Sequence, residues 1–213
     1  MLRTTALILA AAVLPAAASA EVELSFYGGA QSAPHSDVFI SGDVNYPAKT
    51  RVKWEGNSFE MPPYYGLRAT WWASEQVGYG LDFTHTKVYS DAASRGADFT
   101  TLEFTDGLNT LTANAYRRFD PLGPVTPYVG AGVGLAIPHV EVSNGTTKTE
   151  EYQITGPAVT FLAGASYPVG DRLSVFGEYK FTYSQNEADL DGGGTLRTDI
   201  ITNAVNVGVS FSF

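Results

Sequence analysis

The sequence predicts an all-β protein, an eight-stranded antiparallel up-and-down β-barrel that crosses a membrane, and three observations predict it. First, the last stretch alternates: Ile201, Val205, Val207, Val209, Phe211 and Phe213 share one face, while Thr202, Ala204, Asn206, Gly208, Ser210 and Ser212 share the other. That is the period of a strand, and its bulky face needs an apolar medium about as tall as a bilayer core, which a tilted strand of about 9–11 residues spans. Second, seven further stretches are candidate strands, and their connections alternate between long and short. Third, beyond the N-terminus no run reaches the roughly 18 apolar residues of a helical span.

Taken in order, residues 1–20 differ in kind from the rest. Arg3 gives a positive start, Ala6 to Ala18 is apolar, and Ala18-Ser-Ala20 is a small-residue cleavage signal. A secretory signal over 1–20 and a barrel domain over 21–213 are expected. The first strand, Val22 to Ala30, sets Val22, Leu24 and Phe26 against Glu23, Ser25 and Tyr27, and a Pro/Asp/Asn-rich loop follows to about Pro63. The second strand, Tyr65 to Trp72, turns at 73–76 into the third, Val77 to Lys87. A polar stretch to Asp106 leads to the fourth, Leu108 to Arg118, and the turn Asp120-Pro-Leu-Gly-Pro124 precedes the fifth, Pro127 to Ile137. After a loop containing Asn144-Gly145 come the sixth, Ala158 to Tyr167, and the seventh, Leu173 to Ser184. The Gly-rich segment 191–194 precedes the eighth. The short turns are expected on the periplasmic side and the long loops outside the cell.

Closure assigns the faces. An eight-stranded barrel is filled by its own side chains, so Glu23, Arg68, Asp82, Asn114, Glu178, Lys180 and Asn206 are expected to form a packed polar plug, with Gly130, Gly132 and Gly134 making room opposite larger groups. A proton relay is the alternative use of these charges. Trp71, Trp72, Tyr128, Tyr167, Tyr179, Phe181 and Tyr183 are expected as aromatic anchors at the headgroups. The net charge of −9 disfavours nucleic acid and favours cations as partners. Cysteine is absent, as befits an exported protein stabilised by a closed hydrogen-bonded sheet. Such a barrel needs no partner to satisfy its edges, so a monomer is expected.

Chemistry should collect at the loop end. All three histidines fall there: His35 after the first strand, His85 at the top of the third and His139 at the top of the fifth. Three imidazoles with a carboxylate such as Glu141 or Glu60 suit a divalent metal ion, zinc or a redox-active first-row metal; three unrelated solvated histidines are the alternative. Strand parity puts His85 on the lipid-facing side with Phe83. Glu187, Asp189 and Asp191, followed by Gly192, have the spacing of half a calcium loop, but the helix and closing Glu of an EF-hand are missing, leaving a looser divalent site or a plain acidic loop. Gly130-Ala-Gly-Val-Gly134 has no following helix and is no nucleotide fingerprint. Gly-x-Ser-x-Gly is absent.

The aromatic ending on Phe213 resembles the last strand of bacterial outer-membrane barrels. Several blocks further resemble the bacterial lipid A oxidase family: Trp54 to Arg68, Leu102-Glu-Phe-Thr-Asp-Gly-Leu-Asn109, Ile137-Pro-His-Val-Glu-Val142, Tyr152-Gln-Ile-Thr-Gly-Pro157, and Val175 to Gly194 running on to the C-terminus. The resemblance implies an outer-membrane enzyme of Gram-negative bacteria, inserted by the barrel assembly machinery. It would oxidise the proximal glucosamine of lipid A, the anchor of lipopolysaccharide, to 2-aminogluconate with molecular oxygen as co-substrate. Two-electron reduction of oxygen by a sugar usually calls for a metal or flavin, and no flavin-binding fold is present. In that scheme His35, His139 and His85 are metal ligands with Glu141 or Glu60. Glu103 or Asp106 takes the proton of the anomeric hydroxyl, and Arg68, Lys87 and Arg95 are candidates for the lipid A phosphate. Two alternatives remain open from the residues. One is a lipid A deacylase using His139, Ser143 and Glu151. The other is a structural or adhesive barrel whose acidic loops hold divalent cations that bridge lipopolysaccharide.

Overall fold

The computed structural model describes residues 21–43, 45–104 and 106–213; the segment 1–20 read as a secretory signal lies outside the described residues. In chain order the elements are β1 (Glu21–Ser32), β2 (Ser36–Ser41), β3 (Lys49–Val52), β4 (Trp54–Glu55), β5 (Tyr65–Trp72), β6 (Val77–His85), β7 (Val88–Ser90), α1 (Ala92–Arg95), β8 (Thr101–Phe104), β9 (Leu108–Arg118), β10 (Thr126–Ser143), β11 (Lys148–Tyr152), β12 (Gly156–Pro168), β13 (Leu173–Asp189) and β14 (Thr195–Ser212). Eight of them close a ring in the order β1-β5-β6-β9-β10-β12-β13-β14 and back to β1, every neighbouring pair antiparallel.

Below the loops the wall has the chemistry that the alternation demands. Val205, Val207 and Val209 on β14, with Leu24 and Phe26 on β1 and Leu81 on β6, stand outward and exposed to what would be lipid. The inward residues form the polar plug. Arg68 donates to Asp82 at 2.8 Å and, through both terminal nitrogens, to Glu178 at 3.0 and 2.7 Å. Lys180 donates to Asp82 and Tyr27 at 2.9 Å and to Thr84 at 2.6 Å. Asn206 and Tyr128 complete the shell of Glu178. Opposite charges cancel inside the tube, which is what makes their burial bearable. The β10 glycines are where space is shortest. A Cβ on Gly132 would sit 1.8 Å from the Asn114 amide oxygen, and one on Gly134 would sit 1.9 Å from the Leu111 carbonyl oxygen.

Two aromatic assignments are corrected. Trp72 and Tyr128 do not anchor the barrel in headgroups but face inward, Trp72 under the Arg118 guanidinium at 3.5 Å and Tyr128 bonded to Glu178 at 2.8 Å. The parity of β5 explains the first, because its neighbour Trp71 takes the outward place.

Several strands run on past the membrane wall, and the supposed loops pair with them. The stretch after β1, read as a loop, carries β2, β3 and β4; β2 pairs with the top of β14, Thr198 opposite Val38. The polar stretch before Asp106 carries β7, α1 and β8, and the loop after β10 carries β11. In this crown the alternation keeps its parity and inverts its chemistry. On β14, outward Val205 and Ile201 give way to outward Asp199 and Arg197, while inward Ala204 and Thr202 give way to inward Ile200 and Leu196. On β10, outward Leu135 and Ile137 give way to His139 and Glu141, while Val140 and Val142 turn inward. Those inward residues join Val38, Trp54, Val88, Leu102, Phe104 and others in an apolar core that closes the mouth of the barrel. The inversion marks where lipid ends and water begins: above it, burying greasy groups inside and leaving charges outside is the favourable arrangement.

Candidate functional site on the outward face of the crown

The outward crown residues of β6 to β11 line up in rows set by the register. The lowest row is Tyr65, His85, Asn109 and Ile137, strand beside strand. His85 keeps the lipid-side parity of Phe83 but is buried, its ring stacked on Tyr65 at 5.1 Å and its Nδ1 2.9 Å from the Asn109 side-chain oxygen. The turn at Gly107 makes this possible. It has φ +109°, and a Cβ there would lie 2.5 Å from the His85 ring.

One row higher, the His139 amide donates to the Gly107 carbonyl at 2.9 Å, and His139 pairs with Tyr152 of β11, the rings 4.8 Å apart. His139 is 8% exposed, and among the described residues its Nδ1 has no hydrogen-bond partner. The nearest carboxylate oxygens, of Glu141 at 3.7 Å and Asp106 at 3.9 Å, are too far for one. The Tyr152 hydroxyl holds the Asp106 carbonyl at 2.9 Å, fixing that turn beside the imidazole.

The third row is Tyr89, Glu103, Glu141 and Glu150, which are register partners across β7, β8, β10 and β11. Partial burial pushes the Glu103 carboxyl up to about 7, and the facing Glu141 carboxylate pushes the same way; Arg95 and Lys148 oppose both. Lys148 is paired with Glu150. A carboxyl that titrates near neutrality, an unpartnered imidazole and a second carboxylate beside it make a surface able to take and return protons from a hydroxyl. The surface begins directly above the outward apolar stripe of β10.

The remaining predicted residues lie elsewhere. His35 sits in a shallow pocket with Asp37, Phe39, Arg51, Arg197 and Asp199 on the β2–β14 side. Glu60 is exposed on the loop 57–63. Glu187 pairs with Arg197 at 2.8 Å, and Asp189 and Asp191 belong to the exposed hairpin joining β13 to β14. Among the described residues no group of three or more His, Asp or Glu is arranged to hold a metal ion. The expected set His35, His85, His139, Glu60, Glu187, Asp189 and Asp191 is thus spread around the crown instead of converging. Of the expected phosphate ligands, Arg68 is consumed by the interior plug. Lys87 is 2% exposed and donates to the Met61 carbonyl at 2.9 Å and the Tyr89 hydroxyl at 3.2 Å. Only Arg95 stands beside the carboxylate row. For the deacylase reading, Ser143 lies four residues along β10 from His139, roughly 13 Å at about 3.4 Å per residue, and Glu151 has the opposite parity to the β11 residues that flank His139 and Glu141. Tyr152 and Asn109 were not singled out as site residues. Both stood inside the quoted blocks, but only the pairing of β9, β10 and β11 brings them to the histidines.

Comparison with known proteins agrees with the fold. Solved structures similar to this chain include Neisserial surface protein A, 17% identical, covering 92% of this chain and 98% of that one with a TM-score of 0.52. The outer membrane protein AlkL in lipid bilayers is 12% identical, covering 95% and 96% with a TM-score of 0.57. Uncharacterized proteins of Brucella abortus and Brucella melitensis are 29% identical over 193 residues, 67% of this chain and 66% of their own length. The chain therefore spans about two thirds of those relatives. The model of the outer membrane protein beta-barrel domain matches residues 4–213, and with an eight-stranded ring, a lipid-facing wall and a polar plug in place, this chain belongs to that family and is an outer-membrane barrel.

Proposed function

We propose that this barrel is a lipid A-modifying enzyme of the outer membrane, an oxidase that converts the proximal glucosamine of lipid A to 2-aminogluconate with molecular oxygen. One observation supports the reading above the rest. Three of the sequence blocks that carry the family resemblance, distant along the chain, meet in one small sheet: Glu103 and Asp106 come from the first, His139 and Glu141 from the second, Tyr152 from the third. They meet on the lipid side of the crown, at the height where a glycolipid in the outer leaflet would present its sugar.

In this reading Glu103 is the base. Its carboxyl, held near 7, is partly ionised at neutral pH and can take the proton of the anomeric hydroxyl. His139, with Asp106 and Glu141 on either side, holds a neighbouring sugar oxygen through its unpartnered nitrogen, and Arg95 and Lys148 lie near enough for a phosphate. Two electrons and two protons pass from the hemiacetal to oxygen, giving a lactone and hydrogen peroxide; water then opens the lactone to the acid. The expected metal ligands do not come together, so no step is routed through a metal ion.

Mass spectrometry of lipid A from cells with and without the gene tests the proposal. A gain of one oxygen that disappears in H139A and E103Q cells supports it. A lost acyl chain would replace it with deacylation, and unchanged lipid A would leave a structural or adhesive barrel.

A further inference from the structure

Beneath the crown ledge the outer wall is not uniform. Two outward rows cross β6, β9, β10 and β12: Leu81-Ala113-Val133-Val159, and below it Tyr79-Ala115-Ala131-Phe161. In the lower row two alanines lie between two large rings, Tyr79 at 52% and Phe161 at 57% exposure, on strands roughly 14 Å apart at about 4.8 Å per spacing. The result is a lipid-facing concavity of about 560 Å³, lined almost wholly by apolar atoms, with Ala113, Ala115 and Ala131 as its floor. Its strands are the ones that carry Asn109 and His139 in the crown. Val133 lies about 20 Å below His139 along β10, at about 3.4 Å per residue. With a strand tilt of about 35–45° that is roughly 15 Å along the membrane normal, half of a bilayer core of about 30 Å.

We infer that this concavity is the acyl-chain subsite of a glycolipid whose sugar lies on the crown ledge. The inference rests on the proposed lipid A reading and adds to it how the substrate is selected from the leaflet. A chain descending from a sugar beside His139 reaches the middle of the membrane at the alanine floor. There Tyr79 and Phe161 contact it on both sides, and the absent side chains of Ala115 and Ala131 give it depth. The buried His139 nitrogen, unpartnered among the described residues and directly above on β10, is the polar end of the same track. Occupancy by a hydrocarbon chain restores the dispersion contacts that a notch in the wall otherwise forfeits. The pairing of one polar ledge with one apolar notch is what distinguishes a glycolipid bearing several chains from a bulk phospholipid.

The test measures binding without turnover, so that it fails separately from the enzymatic proposal. Full-length protein in phospholipid nanodiscs is titrated with hexa-acylated lipid A and with its fully deacylated disaccharide bisphosphate. Filling the notch with A115L/A131L is expected to weaken the acylated lipid at least tenfold and leave the deacylated sugar unchanged; the milder A131V should give a smaller loss in the same direction. The chain contains no cysteine, so A131C carrying a photo-reactive group is expected to capture lipid A in preference to the excess phospholipid. Equal affinity of wild type and filled variants would overturn the inference. So would equal capture of phospholipid, which would make the notch a seat for ordinary annular lipid, or a loss of dimer on filling it, which would give it to a second copy of the chain. Groove-dependent binding together with unmodified cellular lipid A would refute the oxidase and leave the subsite standing.

Discussion

Replacing Arg68 by methionine tests whether the interior is a balanced plug. The guanidinium is 6% exposed and makes three charge-assisted hydrogen bonds, one to Asp82 and two to Glu178. Without it Asp82 keeps Lys180 and Tyr27, and Glu178 keeps Tyr128 and Asn206. Two carboxylates then share one ammonium in a dry tube. Removing one partner of a buried pair costs about 3–5 kcal/mol, and the neutral donors left in place argue for the lower end, about 3 kcal/mol, or roughly a hundredfold in the folding equilibrium. Adding E178Q removes the stranded charge and should restore more than half of the loss. The assay is denaturant unfolding of the barrel in lipid vesicles for wild type, R68M, E178Q and the double variant. A loss below about 1 kcal/mol for R68M, or additive losses in the double variant, would refute the claim that these charges are held only by each other.

Three further outcomes follow from the same coordinates. Because the folded protein raises the Glu103 carboxyl from its ordinary 4.5 to about 7, the folded crown binds the extra proton. Its contribution to stability is complete below about pH 4.5 and is lost as pH rises through 7. Thermal unfolding should therefore show a falling stability over that window that E103Q abolishes. As the base, Glu103 works ionised, so oxidation of lipid A should rise through about pH 7, and E141Q, by removing the facing charge, should move that limb to lower pH. On β10, G134A forces a Cβ against the backbone of Leu111 and Thr112, at 1.9 and 2.6 Å, and should cost about 1–3 kcal/mol. G170A, with nothing within 4 Å in its turn, should stay within about 0.5 kcal/mol of wild type, and urea unfolding of the two checks both.

The membrane wall was legible because lipid imposes one rule on every strand: outward residues must be apolar, inward ones small or polar. Alternation in the stretch ending at Phe213 was enough to give parity, and parity gave the interior set from Glu23 to Asn206. Trp72 and Tyr128 were misassigned because their residue type was weighed above their place in the alternation. The crown was hidden for a related reason. Thr195 to Ile200 and Pro138 to Ser143 still alternate, but with the chemistry of the two faces exchanged, so a search for apolar-out strands reads them as loops.

Alone, the sequence determined the strand count, the faces of the wall and the end at which the histidines lie, because these depend only on local period and on the solvent around each strand. Which rim residues meet was decided by tertiary structure, through the register of β8, β10 and β11 and the turn at Gly107. Those bring Glu103, Asp106, His139 and Tyr152 together from segments up to about fifty residues apart, and send His35 and the acidic hairpin to other parts of the rim. Register is a property of pairs of strands, and no single strand carries it.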